Sequence, residues 1–134
     1  MEEHPAKQER RRSERVDVGF TLVYSVENPY SLRISLGVAE DIDAIMLNLS
    51  ELGMAIITKH DLPAGTELYI KFNLIDLRLS GEERRRHMEM TAQTVSNILV
   101  PKLSHRIGIR FDRISDEDKE CIKNFVKRNK FPSR

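Results

Sequence analysis

Val18, Phe20, Leu22, Tyr24 and Val26 alternate with mostly small or polar residues, the period of two that sets one face of a strand against a core. Asn28-Pro29 interrupts the pattern. Further strand-like runs follow over Leu32 to Val38, Ala44 to Asn48, Met54 to Thr58, Glu67 to Leu74, Met90 to Leu99 and Arg106 to Phe111. The breaks between them are turn-like: Leu52-Gly53 after Ser50, Pro63-Ala64-Gly65, and Ser80 to His87 (SGEERRRH), which reads as a solvated loop. Short strands punctuated in this way predict a mainly β fold, a small closed or nearly closed antiparallel β-barrel rather than βαβ units. Only the C-terminal end reads as a helix. Ser115 with Asp118 resembles a capping box, acidic residues fill the first turn, Lys127 and Arg128 stand near the end, and Ile122, Phe125 and Val126 form an apolar stripe. No internal repeat or linker interrupts the chain.

Ahead of the first strand the pattern is different. Residues 1–15 have no apolar periodicity and end in Glu9 to Arg15, ERRRSER. Such a segment cannot offset its ordering entropy by burial, so residues 1–15 are expected to be a flexible basic arm and residues 16–130 the barrel with its helix. At 134 residues and 15.6 kDa there is material for one domain, with 40% hydrophobic and 32% charged residues building one modest core under a charged surface. The single cysteine, Cys121, excludes an internal disulfide and any multi-cysteine zinc site, and reads as a small packed side chain within the helix. No apolar run approaches the roughly 20 residues that cross a bilayer, and the first residues are charged where a signal peptide is apolar, so the expected location is cytoplasmic, without membrane insertion. The 22 basic and 21 acidic residues leave a formal charge of +1, which removes global attraction to DNA or RNA as an explanation of function.

Catalytic sets are not evident. The chain contains neither GxxxxGK[ST] nor GxGxxG, and His4, His60, His87 and His105 have no metal-ligand spacing. Asp41 and Asp43 are close but lack the rest of an EF-hand loop. The expectation is a protein that is not an enzyme and holds no metal or resident cofactor.

Two segments carry chemistry. Arg11-Arg12-Ser13-Glu14-Arg15 is an RxxxR frame just ahead of the first strand, extended by Arg10. It reads either as a solvated basic tail or as a set of planar guanidinium forks, each able to grip a phosphate or the O6/N7 edge of guanine with two parallel bonds. Asn48-Leu49-Ser50-Glu51-Leu52-Gly53 lies between two strand-like runs. It reads either as a hairpin connection, with Asn and Ser bonded to local backbone and Gly in a conformation denied to other residues, or as a base-binding edge. The two-residue spacing of Asn48 and Ser50 places both on one side of extended backbone.

Together, an RxxxR frame at the entry to a barrel and [DN]xSxxG tens of residues later resemble the PilZ family, bacterial receptors for cyclic di-GMP. Pro63-Ala64-Gly65-Thr66-Glu67-Leu68-Tyr69-Ile70 is similar to the family's glycine-led strand and Arg106-Ile107-Gly108-Ile109-Arg110-Phe111 to its closing strand, with a helix after it. The resemblance runs from about Arg10 to Val126. It implies a six- or seven-stranded barrel, with Arg11 and Arg15 contacting phosphate and guanine, Asn48 and Ser50 binding guanine, and Gly53 keeping the surface clear. Asn48 stands where Asp is the alternative; its amide oxygen still accepts one guanine N–H. In this family a basic residue at the position of Arg10 accompanies binding of two stacked ligand molecules.

The function expected from these residues is a cyclic di-GMP receptor and adaptor whose arm orders over the nucleotide and presents a surface to an effector protein, or to a second copy in a homodimer. Two rivals stand beside it. One is a PilZ-like interaction module that binds no nucleotide; the other is a small barrel for single-stranded nucleic acid, opposed by the absence of tryptophan and an aromatic content of 6%.

Overall fold

A computed structural model of the chain describes residues 14–36 and 41–130. Seven strands follow the chain: β1 (Arg15–Asp17), β2 (Thr21–Asn28), β3 (Ile42–Ser50), β4 (Gly53–Thr58), β5 (Glu67–Ile75), β6 (Arg85–Val100) and β7 (Ser104–Arg113). Among the described residues two helices accompany them, α1 (Tyr30–Ser35) and α2 (Asp116–Asn129), with one 3₁₀ turn at Gly81–Arg84. Every strand pairing is antiparallel, in the order β1-β3-β2-β5-β6-β7-β4, and β3 also pairs with β4. That last pairing closes β3, β2, β5, β6, β7 and β4 into a six-stranded barrel, with β1 as a short extra strand on the end of β3. No helix among the described residues is long and apolar enough to cross a membrane.

Alternation along each strand fills the barrel. Leu22, Tyr24 and Val26 of β2, Leu68, Ile70, Phe72 and Leu74 of β5, and Met88, Met90 and Ala92 of β6 all point inward. Tyr24 is fully buried, and its hydroxyl is satisfied by Thr58 Oγ1 at 2.7 Å. Helix α2 is capped as its sequence predicts, Ser115 Oγ accepting from Asp118 N–H at 3.0 Å. Its stripe of Ile122, Phe125 and Val126 joins the core, where Phe125 packs on Phe20 with ring centroids 5.9 Å apart. Cys121 sits half-buried against the same core.

Two expectations are corrected. Leu32 to Val38 reads as a strand, but Tyr30–Ser35 is helical, so the C-terminal helix is not the only one. Leu32 and Leu36, one helical turn apart, pack against the core while Tyr30 and Ile34 are 65% and 61% exposed. A run of apolar residues at both even and fourth positions satisfies either period, and the proline at the helix's entry decides it. The Ser80–His87 segment is a loop only in its first half. Arg85, Arg86 and His87 already belong to β6, paired with Ile75, Leu74 and Asn73, because a strand face in solvent tolerates charge as readily as a loop does.

Asp76 fastens α2 to the end of β5. It is 3% exposed. One carboxylate oxygen accepts from Arg128 Nε at 2.7 Å, the other from Arg78 N–H at 3.0 Å and from Asn129 Nδ2 at 3.3 Å. Burial alone pushes this carboxyl upward, but the bonds from Arg128, Arg78 and Asn129 outweigh it and hold the group below the usual value. Asp76→Ala is expected to cost about 2–3 kcal/mol, seen as a fall of roughly 10 °C in the melting temperature. Because the folded carboxyl is the stronger acid, its contribution is full above the ordinary carboxylate range and is lost as pH falls through the lower folded value. The gap between wild type and Asp76→Ala should therefore narrow in melts run in acid below that range. A gap that stays constant there would show that the carboxylate is not the source.

Candidate functional site

Arg106-Ile107-Gly108-Ile109-Arg110 alternates strictly, with Ile107 and Ile109 in the core and Arg106, Gly108 and Arg110 on the outer face of β7. On β4, Met54 and Ile56 point inward and Gly53 and Ala55 outward. A bulge between Met46 and Asn48 re-phases β3, so Met46 and Leu49 are both buried in the core and Asn48 and Ser50 face out together. A second bulge, between Thr94 and Ser96, turns Ser96 outward over Gly108.

The register aligns these residues across the barrel. Asn48 pairs with Ala55, Ala55 with Gly108, and Gly108 with Ser96, a row of short side chains crossing four strands. On one side of the row stand Arg15 (paired with Ser50) and Arg110 (paired with Gly53); on the other stand Arg106 and its partner Ile98. The result is an open cleft of about 430 Å³ whose floor is low because its residues are small. Arg15, Arg106 and Arg110 line it and, among the described residues, no carboxylate does, so it suits an anion. A neighbouring hollow of about 720 Å³ shares Leu52 and Arg110 but sets Glu51, Asp112 and Asp116 against Arg113 and Lys119, so its charges offset one another.

Of the residues the sequence singles out, Arg15, Asn48, Ser50 and Gly53 all line this cleft. Arg10 and Arg11 lie outside the described residues. Ser50 does what a turn residue does: its Oγ accepts from Leu52 N–H at 3.1 Å and Gly53 N–H at 3.2 Å, fixing the β3–β4 connection. Asn48 does not. The residue is 7% exposed and its side chain makes no hydrogen bond among the described residues, so the amide faces the cleft unengaged by them. Gly53 is needed for a reason other than the one its turn position suggests. Its φ is not positive; instead a Cβ would lie 2.0 Å from the carbonyl oxygen of Ile109 on the neighbouring strand.

Arg106, Arg110, Ser96 and Ile98 are site-lining residues that reading by motif passes over. The signal for the two arginines is present in the sequence, since the period of two in RIGIR already sets both beside Gly108 on one face. What the sequence does not show is which face, and which strand lies next to it.

Known proteins show the same arrangement of strands. The family described as "PilZ domain" matches residues 9–128. Among solved structures, the inhibitor of motility MotI/DgrA of Bacillus subtilis superposes with a TM-score of 0.71 at 17% identity, over 92% of this chain and 53% of that one. The PilZ domain of YcgR from Escherichia coli, solved with c-di-GMP, gives 0.56 at 17% identity over 89% and 90%. YcgR of the same organism, also in complex with c-di-GMP, gives 0.58 at 15% over 89% and 45%. The chain thus spans about half the length of the motility inhibitor. No curated protein sequence matches.

Proposed function

The chain belongs to the PilZ domain family, and on that premise we propose that it is a bacterial, cytoplasmic receptor for cyclic di-GMP that acts as an adaptor and not as a catalyst. The observation that carries the reading is the convergence of Arg15, Asn48 and Ser50 from two strands into one cleft that, among the described residues, no carboxylate lines. The YcgR PilZ domain, a structure of the same fold, is solved with this ligand.

The chemistry follows from the groups in place. The ligand carries two phosphates and two guanines. Arg15, exposed and without an ion-pair partner among the described residues, presents a fork that takes a phosphate oxygen pair or a guanine O6/N7 edge. Asn48 Oδ1 accepts from the N1–H or N2–H of guanine, which adenine lacks in that pattern. Arg10 and Arg11 precede Arg15 in the chain and would close over the other face. Their mutual repulsion opposes an ordered arm until an anion neutralises them, so ligand binding and arm ordering are one event. The ordered arm is then a new surface for an effector protein or a second copy.

Thermal unfolding with and without nucleotide tests this reading. Cyclic di-GMP at one hundred times its dissociation constant should stabilise the fold by about 2.7 kcal/mol, and the shift should shrink as salt rises because the contacts are largely ionic. Cyclic di-AMP at the same concentration should leave the melting temperature unchanged. Asn48→Ala should weaken cyclic di-GMP binding roughly tenfold and narrow the preference between the two nucleotides. Equal shifts for both nucleotides in wild type would remove guanine recognition by Asn48.

A further inference from the structure

We propose that β7 supplies a second binding wall for the nucleotide, in which Arg106 takes a ligand phosphate, Arg110 takes the ligand at the opposite side, and the trough over Gly108 between them seats a purine ring. The inference rests on the receptor reading above and extends it to residues outside both arginine-arm and Asn-Ser motifs.

Arg106 is the more telling of the pair. Its side chain is half-buried, yet it makes neither an ion pair nor a hydrogen bond among the described residues. Guanidinium groups withdrawn from water are ordinarily matched by a carboxylate or a carbonyl. Its neighbours in register are Ile57 on β4 and Ile98 on β6, which shield it and strengthen any charge-assisted bond it makes. Arg110 is aimed instead of idle: its Nη2 donates to Gln93 Oε1 at 2.6 Å, and Asp112 lies 4.0 Å away, so the guanidinium is held over the cleft with donors to spare.

The spacing suits a flat ring. Four residues of extended strand put the two arginine Cα atoms roughly 13 Å apart along β7. Between them lies only Gly108, followed across the sheet by Ala55 and, on the other flank, Ser96. Gly108 leaves the floor low there: a side chain at 108 would meet Ser96 Oγ at 2.4 Å and push that exposed hydroxyl aside. Val95 and Ile98, both exposed, add an apolar edge against which a base can lie. Arg15 stands on the same side of the row as Arg110, so the cleft offers a cation at either end of a two-phosphate ligand, Arg106 at one and Arg110 with Arg15 at the other.

The test is a set of calorimetric titrations of the full chain with cyclic di-GMP, using wild type, Arg106→Ala, Arg106→Lys, Arg110→Ala and Ser96→Leu, each with its own melt. The expected result is binding at least tenfold weaker for Arg106→Ala and Arg110→Ala and an intermediate value for Arg106→Lys, which keeps charge but not the fork. Ser96→Leu should weaken binding similarly by filling the trough from an exposed position. Melting temperatures should stay within a few degrees of wild type, since neither arginine anchors the core. Wild-type affinity retained within twofold in both arginine variants overturns the second wall and leaves the receptor reading standing. No binding by wild type overturns the receptor reading itself, and this inference with it.

Discussion

Gly53→Ala should unfold the barrel more readily than any substitution of a residue that only lines the cleft. An alanine Cβ at this position would sit 2.0 Å from the Ile109 carbonyl oxygen, 3.0 Å from its carbon and 3.1 Å from the Arg110 Cα. All three are backbone atoms, so no side chain can swing away. Relief requires β4 to part from β7 where Gly53 pairs with Arg110, one of the seams that closes the barrel. A loss above about 4 kcal/mol is expected, the range reserved for substitutions that break packing outright. Gly65→Ala supplies the contrast. Nothing lies within 4 Å of that Cβ, and only the positive φ of 92° opposes it, so about 1 kcal/mol is expected. Chemical denaturation of the two variants measures both. Gly53→Ala should also lose nucleotide, but through its fold, since glycine offers the ligand no side-chain contact. A Gly53→Ala protein with the wild-type midpoint would mean that the β4–β7 seam is looser than described.

Arg15→Ala should do the reverse, sparing the fold and abolishing most of the binding. The side chain is exposed and has no ion-pair partner among the described residues, so truncation leaves nothing buried and unmatched in the free protein. In the complex it removes a two-pronged, charge-assisted contact. Such contacts contribute about 1.5–3 kcal/mol per hydrogen bond to a charged group, so a loss of roughly a hundredfold in affinity is expected. Arg15→Lys should recover only part of it, because an ammonium is a point donor and cannot make the paired bonds. The readout is the dissociation constant beside the melting temperature. A variant that melts early and binds poorly would make Arg15 a structural residue.

Much of this molecule can be read from its residues, and the gaps have physical causes. Strands β2, β5 and β7 follow from alternation because each has one face in the core, β4 from a short apolar run between turns, and α2 from its cap and stripe. Helix α1 is hidden because Leu32, Ile34 and Leu36 alternate like a strand while Leu32 and Leu36 also stand one helical turn apart; Pro29 at the entry favours the helix, and Leu32 and Leu36 are the pair that packs on the core. The start of β6 is hidden by Arg85, which is exposed, and by Arg86, whose guanidinium donates to Asp118 of α2 at 2.8 Å, a partner far away in sequence.

For the site, the local motifs are legible and the tertiary ones are not. Asn48 and Ser50 share a face as their spacing predicts, though a bulge intervenes just before them. Their roles diverge, with Ser50 holding the turn and Asn48 left unengaged among the described residues, a difference set by where the backbone N–H groups of Leu52 and Gly53 fall. The demand for glycine at 53 comes from Ile109, far away in sequence, and no local pattern records it. Arg106 and Arg110 join Arg15 only because β7 pairs with β4 and β4 with β3.

Titration of the purified full chain with cyclic di-GMP in a calorimeter, beside an Arg11→Ala, Arg15→Ala double variant, tests the central claim most directly. Saturable heat in wild type that vanishes in a double variant of unchanged melting temperature is the predicted result, and its molar ratio reports whether one or two ligand molecules bind near Arg10. The contradicting result is the absence of heat and of any thermal shift with ligand near 100 μM, an affinity of roughly −5.5 kcal/mol or weaker; the barrel would then be a protein-interaction module that binds no nucleotide.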